Sequence, residues 1–369
     1  MKKIIKENKT HLALVLLWSH ISKKRKKQFF LLIILMLATS VLEVVSLGAV
    51  LPFLAALTAP EELFGHPLAI PVIQLFGFTE PNQIIFPLTL FFVMAALLAG
   101  AVRLFQLYVV TRLTLSLGAD LSVDAYRRTL YQNYSVHVSR NSSEVINGII
   151  SKTRTVIGGV VSPLLDLISS AILLVAIMSL LLAINTTITL SSFIGFGLIY
   201  LLIIRFTRKH LQHNSKVVAE QSTEVIKTLQ EGLGGIRDVL LDGTQDFYCK
   251  LFRNADIPVR RATGSNTFIG GGPRFVIEAA GMTLIAVLAY LMFQFSEGSI
   301  PVIPVLGVLA VGAQRLLPAL QRTYGSYSSI KGSLSSLEDV NKLLEQPLPD
   351  DISKVSEAIS FEKTISLKN

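Results

Sequence analysis

The sequence predicts an all-α integral membrane protein with six transmembrane helices and long cytoplasmic extensions. Composition gives the first indication, since 51% of the residues are hydrophobic and only 16% are charged. The mean hydropathy is +0.56, and a soluble globular domain carries about 25% charged residues. The second indication is that the apolar residues fall in six long runs, and the third is the position of the basic residues beside them.

Each of the six runs is long enough to cross the hydrocarbon core of a bilayer, which needs about 20 apolar residues in a helix. The first run follows a basic cluster at 23–27, and an uncharged turn at 184–187 joins the third run to the fourth. The predicted spans cover residues 29–57, 84–107, 156–183, 188–206, 275–295 and 301–320.

Lys and Arg crowd both termini and the loops after the second and fourth spans, whereas the other three loops contain none. Positively charged loops resist translocation, so both termini are predicted to be cytoplasmic, in a bacterial-type inner membrane. The net charge of +9 would ordinarily suggest nucleic acid. Because the excess lies beside apolar spans, orientation and membrane lipids explain it, and no nucleic-acid partner is expected.

The spans divide the chain into three parts. Residues 1–28 form a basic, amphipathic segment predicted to lie along the membrane surface, and residues 29–345 form the six-helix domain. The second span continues without a breaker to about Tyr131, and a second polar excursion, 207–273, is interrupted by glycines near 234. Residues 346–369 read as a linker and an incipient β-strand, so we expect a further domain to follow.

The two excursions carry recognisable strings. The first contains YQNYSVH at 131–137 and RNSSE at 140–144, the second EGLGGIRDV at 231–239, and the tail AISFE at 358–362. Together with the six spans, they resemble the transmembrane domain of an ATP-binding-cassette (ABC) exporter. LEVV at 42–45, LPF at 51–53, PR at 273–274 and RLLP at 315–318 are similar to the subgroup that flips lipid-linked oligosaccharides.

The resemblance implies a homodimer with swapped coupling helices and a nucleotide-binding domain that binds ATP and Mg²⁺. The chain has no G-x-x-x-x-G-K-[ST] phosphate loop, so it is not expected to be an ATPase by itself. No cofactor or metal is predicted in it, and Cys249 is its only cysteine. The residues that the resemblance assigns to docking on that domain are Tyr134, His137, Asn141, Ser142, Glu231, Gly234 and Gly235.

Ionisable side chains inside membrane spans are costly and mark functional positions. The candidates for a substrate cavity are Glu43, Arg103, Asp166, Arg274, Glu278 and Arg315. A rise of about 1.5 Å per residue places the three arginines in the inner half of the membrane. Planar guanidinium groups pair with phosphate, so they are predicted to hold the pyrophosphate of a polyprenyl-linked sugar.

Simpler roles remain open for these residues. Arg103 and Arg274 lie close enough to the interface to extend their charges into it, and the three carboxylates serve equally well as structural ion-pair partners. ATP-driven flipping of a lipid-linked oligosaccharide or a similar amphipathic anion is the predicted function. Export of a peptide or a hydrophobic small molecule is the alternative within transport, and a non-transporting membrane scaffold is the alternative outside it. A membrane-embedded transferase is disfavoured because no paired carboxylates or metal-ligand cluster accompany the spans.

Overall fold

The computed structural model describes the backbone of residues 2–58, 60–65, 77–184, 186–295 and 302–348, with positions 70 and 73. Side chains are described for 10–58, 60–65, 77–180, 201–279 and 317–348, apart from Leu51 and Glu62, and for scattered positions between. The predicted strand at 358–362 and most of the apolar stretch at 68–78 lie outside the described residues.

The described part is helical throughout, which confirms the predicted all-α class. The N-terminal half contains α1 (Lys2–His20), α2 (Lys23–Gly48), α3 (Val50–Thr58), α4 (Pro60–Phe64), a 3₁₀ turn (Pro81–Ile84), α5 (Ile85–Leu130) and α6 (Tyr134–Ser139). A third long helix is built of α7 (Ser142–Asn147), a π segment (Gly148–Lys152), α8 (Thr153–Val156), a second π segment (Ile157–Val161) and α9 (Ser162–Ile184). The remainder contains α10 (Thr186–Gly234), α11 (Ile236–Leu241), α12 (Gln245–Gly271), α13 (Pro273–Phe295), α14 (Val302–Gly332) and α15 (Leu334–Leu344).

Three stretches of the described residues are long and apolar enough to cross a membrane: Lys23–Thr58, Pro81–Leu130 and Ser142–Leu180. Helix α5 has 46 residues and is therefore about 69 Å long, more than twice the roughly 30 Å hydrocarbon core. It must project far beyond the bilayer at one end. The C-terminal end of α5, near Leu130, projects in this way, and we call that end of the molecule the extension end. Large apolar side chains stay exposed along the membrane part of α5, as a bilayer-facing helix requires; examples are Phe86, Leu97 and Leu104.

Helices α2 and α3 together take the place of the first predicted span. Ser22 begins α2 by accepting a hydrogen bond from the backbone N–H of Arg25 through its hydroxyl, at 3.4 Å. The helix ends at Gly48, and Pro52 lies two residues into α3. Proline has no N–H to donate to the carbonyl four residues earlier, which explains a break at this place.

The main apolar core lies towards the extension end, where α1, α2, α5, α8, α9 and α15 meet. Its largest fully buried side chains include Leu32 and Met36 from α2, Leu117 from α5 and Leu337 from α15. Residues from the first and last described helices are therefore neighbours in space, which brings α1 against α15.

Ionic contacts join α15 to the third long helix. The buried Lys152 ammonium lies 2.6 Å from Asp339 of α15, and Lys342 lies 3.1 Å from the other oxygen of that carboxylate. The hydrogen bond from Lys342 to Asp339, aided by the carboxylate charge, raises the pKa of Lys342. Arg128 at the end of α5 also donates a hydrogen bond to the carbonyl oxygen of Gln346 at 2.9 Å.

Gly159 lies in the second π segment, where α14 passes closely. A Cβ at this position would overlap the hydroxyl and Cβ of the nearly buried Ser333. We expect Gly159→Ala to lower the free energy of unfolding by about 1–3 kcal/mol through overpacking. Thermal unfolding of the purified protein in detergent measures the change.

The neighbouring residue supplies the matched control for that substitution. A Cβ at Gly158 would meet no atom within 4 Å, so Gly158→Ala should leave the unfolding temperature unchanged or raise it slightly. Equal destabilisation by the two substitutions would show that helix geometry, and not contact with Ser333, requires the glycine.

Candidate substrate cavity and coupling surfaces

Two adjoining cavities of about 560 Å³ and 550 Å³ lie among α2, α3, α5, α9 and α14. Both are lined by Glu43, Arg103, Leu173 and Arg322. The other lining residues are mostly apolar, with hydroxyl groups from α2 and α9. Charged groups at this depth of a membrane helix bundle are expensive unless they are paired or reach water, which makes this the leading candidate for a functional site.

An ion pair between α2 and α5 forms one wall of the cavities. Arg103 donates a hydrogen bond from Nη1 to Oε1 of Glu43 at 3.1 Å. The Glu43 side chain is only 4% exposed, whereas that of Arg103 is 40% exposed. A guanidinium carries five N–H donors, so this bond leaves others directed at the cavity. The predicted neutralisation of an arginine by Glu43 is therefore present in the geometry.

A second polar contact joins α5 to α9. Gln106 donates a hydrogen bond from its amide to the hydroxyl of Ser169 at 2.8 Å. Arg103 and Gln106 lie three residues apart on α5, and Asp166, Ser169 and Ser170 cluster at helical spacing on α9. The polar residues of each helix thus face the same space, and Asp166 lines it as well.

Arg322 projects into this space from α14. It lines both cavities and interacts electrostatically with Arg103, Asp166 and Glu43. No hydrogen bond joins Arg322 to another of the described residues. Two guanidinium groups from different helices therefore face one space, together with two carboxylates.

A third cavity of about 570 Å³ shares Arg322 with both of the first two and Pro318 with one of them, and it opens towards α13. Here Arg274 donates from Nε to Oε1 of Glu278 at 2.7 Å, and Gln321 donates to the same oxygen at 3.2 Å. The Arg274 side chain is 62% exposed, so it remains accessible to a ligand despite this pair.

The predicted site residues are only partly accounted for. Glu43, Arg103 and Asp166 meet in one pair of cavities, and Arg274 and Glu278 lie in the adjoining one. Arg315 belongs to α14, but its side chain lies outside the described part of the chain. Sequence reasoning missed Arg322, Gln106, Ser169 and Gln321. Arg322 lies seven residues, or two helical turns, after Arg315. This spacing puts both residues on the same face of the helix and could have identified Arg322 in the sequence.

The turn between α5 and the third long helix presents a short helix, α6, at the extension end. Tyr134 is 82% exposed and Val138 is 68% exposed, and His137 between them is also exposed. Asn141 begins α7 by accepting a hydrogen bond from the N–H of Ser143 at 2.9 Å, and Ser142 is the first residue of that helix. Large apolar groups at an exposed helical tip indicate a docking surface.

The second tip, between α10 and α12, exposes still more apolar surface. Helix α10 ends with Gly234 shortly after Glu231, and α11 begins after Gly235. Exposed leucines crowd this tip: Leu233, Leu240 and Leu241. Gly235 has a φ of −99°, which any residue adopts, so the corner does not need glycine there for its backbone angles. The left-handed residue is Gly243, with a φ of 64°, in the turn before α12.

Comparison with known families gives the decisive observation. The model of the ABC transporter transmembrane region matches residues 28–312, more than half of the chain. The chain belongs to this family. No curated protein matches the sequence. The protein is therefore a membrane-embedded transport component of an ABC transporter, and such regions work with an associated nucleotide-binding domain.

Proposed function

We propose that this ABC transmembrane region moves a lipid-linked oligosaccharide, or a comparable amphipathic anion, from the inner to the outer leaflet. The observation that carries the proposal is the pair of guanidinium groups, Arg103 and Arg322, facing one space between membrane helices, with Arg274 in the adjoining cavity. Guanidinium groups bind phosphate oxygens through paired N–H donors. The apolar walls are suited to the lipid part of such a molecule.

The balance of charge in the cavities constrains how binding occurs. Glu43 and Asp166 face Arg103 and Arg322, so the charges of these four described side chains balance. An entering pyrophosphate has to compete with these carboxylates for guanidinium donors, and the unused N–H groups of Arg322 are the first it meets. We infer that the acidic partners keep the site from trapping its anion, because release on the other side restores the original pairs.

The driving force is proposed to come from a nucleotide-binding domain that contacts the two exposed tips at the extension end. The residues proposed for this contact lie on or beside α6 and α11: Tyr134, His137, Asn141, Ser142, Glu231, Gly234 and Gly235. Closure of two such domains on ATP and Mg²⁺ would move the long helices as rigid bodies in a homodimer and turn the cavity outward. Because basic loops resist translocation, the proposal assigns this end and both termini to the cytoplasmic side of a bacterial-type inner membrane.

Transport of labelled substrates in proteoliposomes tests the proposed function. The protein, joined with its nucleotide-binding domain, should flip a pyrophosphate-linked polyprenyl oligosaccharide only with ATP and Mg²⁺. A hydrophobic peptide and an uncharged hydrophobic small molecule serve as the competing substrates. ATP-driven movement of either without movement of the pyrophosphate lipid would favour the alternative transport function, and ATP-independent behaviour towards all three would favour a scaffold.

A further inference from the structure

We propose that α1 and the basic start of α2 form a binding site for anionic phospholipid, and that lipid bound there stabilises the packing of α1 against α15. The site is separate from the cavities and from the two exposed tips. It would make the helix that ends the domain respond to the composition of the surrounding leaflet.

The described part of α1, from residue 10 onward, has two apolar faces, and only one of them packs against the rest of the protein. Ala13 and Leu17 are buried in the main core. On the other face, Leu12, Val15 and Trp18 recur every three residues and are 59%, 48% and 46% exposed. The start of α2 continues this surface with Phe30 and Leu31, which are 65% and 64% exposed. The rings of Trp18 and Phe29 lie 5.6 Å apart, so the exposed face of α1 begins beside the start of the membrane helix α2.

The basic cluster beside this face is available to a phosphate. Lys23, Lys24 and Lys27 are exposed, and no ion pair joins them to another described residue. Arg25, in contrast, is already held by Asp120 at 2.7 Å. The sequence has no Asp or Glu between 10 and 42, so nothing nearby along the chain opposes an anion.

Only a molecule with a negative headgroup and an apolar tail satisfies both parts of this surface. Lys26 lies 5.6 Å from the centre of the Trp18 ring, which links the basic cluster to the apolar face. Tryptophan prefers the headgroup level of a bilayer, and basic side chains near the surface are attracted to anionic lipid. The geometry therefore points to an anionic phospholipid of the adjacent leaflet.

Two hydrogen bonds connect α1 to the end of the domain. Asn341 of α15 donates from its buried amide to the carbonyl oxygen of Ala13 at 2.8 Å. Lys331 donates to the hydroxyl of Thr10, also at 2.8 Å. A ligand that binds α1 only in its packed position stabilises that position by mass action, so anionic lipid should hold α15 in place through Asn341 and the end of α14 through Lys331.

Fluorescence tests the lipid site directly because Trp18 is the only tryptophan of the chain. The chain is reconstituted into bilayers that contain brominated phosphatidylglycerol or brominated phosphatidylcholine. We expect quenching of Trp18 to show a preference of about threefold or more for phosphatidylglycerol. The substitutions Lys23→Gln, Lys24→Gln and Lys27→Gln, made together, should reduce the preference to about one.

The matched control removes three exposed cations on α10 and α12, with Lys216→Gln, Lys250→Gln and Arg253→Gln, and should keep the wild-type preference. Equal quenching by the two lipids in the wild type overturns the site. A preference for phosphatidylglycerol that remains after the three lysine substitutions also overturns the site. Trp18 fluorescence that neither lipid quenches overturns it as well.

Hydrogen exchange of the amides in 334–344 tests the connection to α15. We expect exchange to be several-fold slower in phosphatidylglycerol than in phosphatidylcholine bilayers. Asn341→Ala should retain the quenching preference and reduce this difference, because it removes the hydrogen bond to Ala13 and leaves the lysines. Exchange rates that do not depend on the lipid in the wild type overturn the connection. These readouts need no transport, so their failure is distinguishable from failure of the proposed function.

Discussion

Replacing Arg322 with alanine is expected to slow ATP-driven flipping of a pyrophosphate-linked lipid by about tenfold to a hundredfold. A charge-assisted hydrogen bond contributes about 1.5–3 kcal/mol, and each 1.36 kcal/mol corresponds to a factor of ten. Arg322 is the strongest candidate because it lines all three cavities and makes no hydrogen bond to another described residue. Initial flipping rates in proteoliposomes measure the effect.

Two further variants make the result for Arg322 specific. Arg322→Lys keeps the charge but loses the planar pair of donors. Its flipping rate should therefore lie between those of the wild type and Arg322→Ala. Arg261→Ala removes an exposed guanidinium on α12, outside the lining of the cavities, and should have no effect on the rate. An unchanged rate in Arg322→Ala, with normally folded protein, would remove the headgroup-binding role.

Replacing Arg103 with alanine is expected to produce the largest loss of stability, about 2–4 kcal/mol. The substitution removes the guanidinium that donates a hydrogen bond to the carboxylate of Glu43, which is 4% exposed. Removing one partner of a buried ion pair costs several kcal/mol, and the partial exposure of Arg103 and the remaining attraction between Glu43 and Arg322 bring the value towards the lower end. Thermal or denaturant-induced unfolding of the purified protein in detergent measures the change.

Replacing the other partner, Glu43, should reduce the stability only slightly. This difference from Arg103→Ala would identify the buried carboxylate as the cause of the loss. Glu43→Gln leaves Arg103, which is 40% exposed and can still be solvated or donate to the amide oxygen. The double substitution should recover most of the stability that Arg103→Ala alone removes, since the buried group is then neutral. Additive losses in the double variant would show that Arg103 stabilises the protein by packing rather than by pairing with Glu43.

Sequence reasoning succeeded where the determinants are local. The absence of a breaker after the second span predicted a helix to about Tyr131, and α5 ends at Leu130. Arg274 and Glu278 are one helical turn apart and are paired. Periodicity and spacing along one helix were sufficient in both cases, because the interacting groups belong to the same segment.

The failures concern contacts between distant segments. Arg322 was missed because apolar composition ended the predicted sixth span at Leu320, and only an amphipathic continuation to about Leu344 was expected beyond it. Helix α14 runs to Gly332 and keeps Arg322 on the cavity. The docking of α1 on α15 depends on Asn341 and Ala13, which are far apart in the chain. Composition predicted an amphipathic segment along the membrane surface, and it could not identify the protein surface that covers Ala13 and Leu17.

The space between Arg103 and Arg322 is expected to open to one side of the membrane and then to the other. Ser169 lines this space, is partly exposed and differs from cysteine by one atom. The test uses the protein joined with its nucleotide-binding domain, with Cys249 replaced by serine and Ser169→Cys as the reporter. A membrane-impermeant thiol reagent is added from either side, with and without trapped nucleotide.

We predict that the reagent labels the reporter only from the extension side without nucleotide and only from the opposite side with nucleotide trapped. Labelling from the same side in both conditions would contradict alternating access, and with it the account of this chain as a pump for amphipathic anions.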